Sequence, residues 1–85
     1  GDRPRREAMR LADALRQQGV PTLVAVGGRS MRAQLRHANA LGAPWVVVIG
    51  EDELARGVVQ VKNMRGGESV ELAPQAAVER LAAGG

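Results

Sequence analysis

Two glycines, Gly27 and Gly28, followed by Arg29 and Ser30, stand directly before a stretch with helical spacing. Bare glycine backbone, free helix N–H groups and a guanidinium together make a seat for an anion. The loop lacks the Gly-Lys-Ser/Thr ending of a nucleotide phosphate loop and the spaced triple glycine of a dinucleotide fold. Arg29, Arg32 and Arg36 recur three and four residues apart, so they share one helix face. Like charges so placed repel by roughly a few tenths of a kcal/mol, a cost that a phosphate backbone would turn into affinity. The plainer alternatives are a capped strand-to-helix turn and a solvated arginine face.

Glu51, Asp52 and Glu53 follow immediately on the apolar run Trp45–Ile49. Carboxylates at the carboxyl end of a buried parallel strand stand where α/β sheets bind ligands. They can hold a hard cation, work as acid and base, or accept hydrogen bonds from the N–H donors of a base. No nucleophile or second acidic group accompanies them, so no catalytic residue and no metal site is assigned. Their plainer role is to complement a helix dipole. Lys62 and Arg65, on the wetter side of a later strand and at its turn, complete the candidates, and His37 reads as exposed or locally hydrogen-bonded. Trp45 is the only aromatic residue, which argues against a module that stacks several bases on surface rings. RNA binding, if present, would rest on arginine planes, carboxylates and backbone groups.

These side chains need elements to hold them. Pro4 suits the first turn of a helix, and Ala8, Leu11, Ala12 and Leu15 recur at helical spacing until Gly19. Residues 22–26 form a short β-rich run. Ser30 is placed to cap a second helix with an apolar stripe of Met31, Leu35, Ala38 and Leu41, closed by Gly42. Trp45–Ile49 is apolar on both faces, as a covered parallel strand is. Residues 51–55 make one helical turn that Gly57 closes. Residues 58–64 alternate, 65–68 turn, 70–73 pair back as a hairpin, and Pro74 opens a last helix through Ala77, Val78 and Leu81. This order makes an α/β layer fold with a mixed sheet.

The chain has 85 residues, enough for one core, with 45% hydrophobic and 25% charged residues. It has no cysteine and one histidine, which excludes a disulfide framework and thiolate chemistry and leaves too few ligands for a histidine zinc site. The longest apolar run, 43–49, falls far short of the ~20 residues of a membrane span, and no leader pattern opens the chain. The expectation is a soluble, cytoplasmic protein without a membrane partner. Its net charge of +3 is unevenly spread. Residues 1–40 hold eight arginines against three acids, and 41–85 hold four cations against six acids, a pointer to a polyanionic partner.

The strings Gly28-Arg29-Ser30-Met31-Arg32-Ala33-Gln34-Leu35-Arg36, Ala38-Asn39, Leu41-Gly42-Ala43 and Gly50-Glu51-Asp52-Glu53-Leu54-Ala55-Arg56-Gly57 resemble the C-terminal anticodon-binding domain of class II histidyl-tRNA synthetases. The likeness runs from the first helix to the last. Histidyl, prolyl, threonyl and glycyl enzymes share the wider domain, and the first and last strings favour the histidyl branch. The resemblance implies a three-layer α/β/α fold around a five-stranded mixed sheet in the order 2-1-3-4-5, with strand 4 antiparallel. It implies a domain that grips the anticodon stem-loop of histidine tRNA. A separate catalytic domain, using ATP and magnesium, would activate histidine and charge the tRNA, so the residues here would carry no cofactor of their own. The implied partners are that stem-loop, the rest of the synthetase chain and a second copy of the parent in a homodimer. Position by position, Gly28 and Arg29 fall in the family's anticodon-facing loop, Glu53 on an acidic position that reads an anticodon base, and Lys62 on the cationic position of the following strand. A carboxylate accepts from the N–H edge of guanine, which suits a G-U-G anticodon. With Ser30, Arg32, Arg36, Glu51 and Arg65 these make the candidate tRNA-binding set.

The family's domain opens with a β-strand that lies centrally in the sheet, whereas here Gly1 and Asp2 lead straight into the helix. The expectation is therefore an N-terminally truncated anticodon-binding domain over residues 1–85. An empty slot would separate the strand at 22–26 from that at 45–49, with unpaired backbone on both sides unless something else fills it. Two other functions fit the same residues. One is a synthetase-derived domain with a regulatory or assembly role that does not bind tRNA. The other is a small nucleotide- or acid-binding α/β protein using the loop at 27–30.

Overall fold

Helix α1 (Asp2–Gln17) turns Pro4, Ala8, Leu11 and Leu15 inward at helical spacing and leaves its arginines at the surface. The structure is a computed structural model that describes residues 2–20, 22–26 and 31–84. After α1 come strand β1 (Thr22–Val26), helix α2 (Met31–Leu41), strand β2 (Trp45–Ile49) and the short helix α3 (Glu51–Arg56). Strands β3 (Val59–Asn63) and β4 (Ser69–Leu72) and helix α4 (Pro74–Ala82) complete the chain.

The four strands form one mixed sheet in the order β1-β2-β3-β4. Strands β1 and β2 are parallel, with Val24 opposite Val47 and Val26 opposite Ile49. Strand β3 runs antiparallel to both neighbours, with Val61 opposite Val47 and Val70. The hairpin turn is tied by Asn63, whose Oδ1 accepts from the N–H groups of Arg65 at 2.9 Å and Gly66 at 3.1 Å.

Strand β2 is why the fold has three layers. Val47 and Ile49 pack with Val59 and Val61 under α1 and α4, in a core that includes Ala8, Leu11, Leu15, Ala77 and Leu81. Val46 and Val48 face the other way and pack with Ala25 under Ala38 of α2. Alternate side chains thus enter opposite cores, which a period of two requires of a strand covered on both faces. The three-layer α/β/α architecture with a mixed sheet is therefore as the sequence implies.

Two expectations are corrected. No gap separates β1 from β2: all five residues of β1 are paired in register with β2. Strands with nothing between them close on one another because a buried N–H or C=O left without a partner costs roughly 1–3 kcal/mol. The second correction is Leu41, which the apolar stripe of α2 included and which is 64% exposed. The chain turns back toward β2 through a 3.0 Å bond from Ala43 N–H to the Ala38 carbonyl, and this leaves Leu41 outside.

Candidate nucleic-acid interface

Because β1 and β2 are parallel and Val26 pairs with Ile49, the chain leaves both strands at the same edge of the sheet. Helices α2 and α3 both begin there. Helix α2 covers the β1–β2 half of one face through Leu35 and Ala38 and presents Arg32 and Arg36 to solvent. The β3–β4 half of that face carries Gln60, Lys62, Ser69 and Glu71, the residues opposite Val48, Val46, Lys62 and Gln60 in the ladders. It is a polar surface beside the arginine-bearing helix.

At the shared edge, Gly50 leads from β2 into α3 without a side-chain cap, and Glu51, Asp52 and Glu53 fill the first turn. Their negative charge offsets the exposed N–H groups there. Gly57 ends the helix at φ 71°, and its N–H reaches the carbonyls of Glu53 and Leu54. The three acids are not equivalent: the Asp52 side chain is 76% exposed and that of Glu53 only 15%. Glu53 is therefore a largely covered carboxylate rather than a free surface charge.

The guanidinium of Arg56 organises this end of the sheet. Its Nη1 and Nη2 donate to the two carboxylate oxygens of Glu71 at 2.7 and 2.8 Å. Its Nε and Nη2 donate to Asp52 Oδ2 at 3.2 and 2.9 Å, and Glu53 Oε2 lies 3.8 Å away. The hydrogen bonds to Glu71 and then Asp52 hold the arginine's pKa above its already high ordinary value. The bond from Arg56, against some burial, holds the Glu71 carboxyl below its own.

Arg32 and Arg36 are exposed on the helix that covers one face, Lys62 stands on the open half of that face opposite Val46, and Glu51 and Glu53 lie at the other end of the ladder, where β2 gives way to α3. Arg65 stands apart, in the turn at the opposite end of β3, a strand of five residues or roughly 15 Å. Gly28, Arg29 and Ser30 lie outside the described residues. Two residues escaped sequence reasoning. Gln34 accepts from Val26 N–H at 3.2 Å and donates to the Val26 carbonyl at 2.9 Å, so one side-chain amide serves both backbone groups at the end of β1. Nothing in its spacing marks it. Arg56 is half legible, because Asp52 precedes it by four residues, but Glu71 is its partner only through the hairpin register.

A layered α/β/α domain with exposed arginines beside an open polar sheet face is suited to holding a nucleic acid. The chain belongs to the anticodon-binding domain family, whose sequence model matches residues 2–83. Its relatives carry the name histidine–tRNA ligase. The one from Desulfitobacterium hafniense (strain DCB-2) is 39% identical over 72 residues, 85% of this chain and 17% of that protein. The one from Aromatoleum aromaticum is 47% identical over 66 residues, 78% of this chain and 15% of that protein. Among solved structures, the apo histidyl-tRNA synthetase of S. aureus superposes with a TM-score of 0.81 at 35% identity, covering 96% of this chain and 21% of that one. The likeness to the histidyl branch seen in the strings at 28–36 and 50–57 is borne out by these matches. The chain spans only 15–17% of the length of these curated relatives.

Proposed function

We propose that this chain reads the anticodon of histidine tRNA and so positions that tRNA for aminoacylation by a catalytic domain in the same protein. The observation that supports the reading is the family match across residues 2–83, together with exposed arginines on α2 beside a polar half-face that carries Lys62. Arg32 and Arg36 would engage phosphates, a contact that is independent of sequence and weakens steeply with salt. Glu53 would accept from the Watson–Crick N–H donors of a guanine splayed from the anticodon loop, and Lys62 would face a neighbouring acceptor. Arg65 would touch RNA only if the stem extends along β3. The loop residues Gly28, Arg29 and Ser30 and the acid Glu51 belong to the same proposed surface.

The whole protein would be a cytoplasmic homodimer that uses ATP and magnesium. Among the described residues no group of three or more His, Cys, Asp or Glu side chains is arranged to hold a metal, so no step with that ion is assigned to them. No helix among the described residues is long and apolar enough to cross a membrane.

The test is binding of the whole protein to the histidine-tRNA anticodon stem-loop and to a base-swapped control across a salt series. Preference for the first, with affinity falling as salt rises, supports the reading. Glu53→Gln is expected to lose ~1–3 kcal/mol of preference at the guanine it reads. Arg32→Ala is expected to weaken all RNAs alike and to reduce the salt slope by about one. A folded protein that binds both RNAs equally or neither would favour a regulatory or assembly role.

A further inference from the structure

Helix α3 is six residues long and none of them is buried. An isolated helix this short has no stability of its own, so neighbours must hold it. Leu54 packs partly against the core beneath α1 and α4, and Val58 N–H closes on the Glu53 carbonyl at 2.9 Å. A side-chain tie runs from α3 to the outer strand: Arg56 grips both oxygens of Glu71 on β4. The same guanidinium donates twice to Asp52 and stands 3.8 Å from Glu53. Four of its five N–H donors are thus committed to carboxylates.

We propose that Arg56 is a positioning residue for base recognition: by forking onto Glu71 and holding Asp52, it fixes the orientation of α3 and with it the carboxylate of Glu53. This role rests on the anticodon reading above. Two physical arguments support it. A two-pronged guanidinium–carboxylate pair sets an orientation as well as a distance, which a point charge cannot do. The same cation also offsets three carboxylates, Asp52, Glu53 and Glu71, that would otherwise repel one another and an approaching phosphate. Because its donors are occupied by carboxylates, Arg56 acts through Glu53 and not as a phosphate contact.

The experiment uses the whole protein with Arg56→Gln, Arg56→Lys and Glu71→Gln, the last removing the carboxylate that the fork grips on β4. Each variant is measured for cognate and base-swapped stem-loop binding over a salt series, and for hydrogen exchange at residues 51–58. The preference for the cognate loop is expected to fall about tenfold in Arg56→Gln and Glu71→Gln, the change that loss of one oriented base contact carries. The salt slope should stay as in the parent, and exchange at 51–58 should quicken while β2 and β3 stay protected. Arg56→Lys keeps the charge and loses the fork, so it should bind tightly and still discriminate poorly. Full discrimination in Arg56→Lys overturns the orientation argument. Equal weakening of all RNAs with a lower salt slope overturns it too, by making Arg56 a phosphate contact, and unchanged preference in Arg56→Gln leaves only a structural tie. A parent protein without preference overturns the anticodon reading and this role together, whereas a discriminating parent whose variants discriminate equally overturns this role alone.

Discussion

Glu71 is exposed, yet its carboxyl titrates below its ordinary value of 4.5 because Arg56 donates to both oxygens and Gln60 adds a further hydrogen bond. A carboxylate whose folded pKa is depressed stabilises the fold fully above its unfolded value, and that contribution is lost as pH falls through the folded value. The tie between α3 and β4 is therefore intact at neutral pH and dissolves only below the ordinary carboxylate range. An NMR titration of Glu71 should give a midpoint below 4.5 in the parent and one shifted upward in Arg56→Gln. A midpoint that stays low in the variant would assign the shift to something other than Arg56. At this scale the sequence displays half of the arrangement. Asp52 and Arg56 are four apart on one helix, a spacing anyone can read, while Glu71 lies 15 residues on and meets Arg56 only because Gln60 pairs with Glu71 in the hairpin. Gln34 is less legible still, since an amide that caps a strand end looks like any polar helix residue until the strand is in place.

Elements ended by glycine were the most readable parts of the chain. Gly42 and Gly57 follow α2 and α3 at φ 73° and 71°, in the left-handed region where a side chain is strained. At Gly57 an added Cβ would meet nothing within 4 Å, so the cost of Gly57→Ala is conformational and not steric. It should come to about 1–2 kcal/mol, read as a drop in the denaturation midpoint with an unchanged slope. A neutral substitution there would mean that α3 can end without the left-handed turn. The apolar stripes of α1 and α4 were nearly as legible, because Ala8, Leu11, Leu15, Ala77 and Leu81 are buried, with Ala12 and Val78 only partly so. Leu41 was not, because periodicity marks a helix face without saying where the sheet beneath it stops. Burial makes Leu15, 1% exposed, the sharper test of α1: Leu15→Ala should cost about 2–5 kcal/mol by the same measurement.

For the molecule as a whole, sequence reasoning found the layers and missed how the sheet closes. The family order placed a further strand between β1 and β2, and hydrophobic pattern cannot report which strands are neighbours, since β1 and β2 look equally apolar with or without a third strand between them. Direct pairing has a mechanical consequence. Strand β2 is now shared by both cores, Val47 and Ile49 serving one and Val46 and Val48 the other. Neither layer can loosen without exposing residues whose immediate chain neighbours belong to the opposite layer, so the two cores should unfold as one unit. Trp45, the only aromatic residue, packs at the edge of the core beneath α1 and α4 and reports that layer by fluorescence. Far-ultraviolet circular dichroism reports all the helices, including α2 on the other face. The two signals should give coincident denaturant transitions in the parent and remain coincident when Val46→Ala weakens only the α2 side. Separation of the transitions in that variant would show that α2 can leave while the rest stays folded. The arginine-bearing wall of the proposed RNA surface would then be a separately mobile element rather than part of a rigid frame.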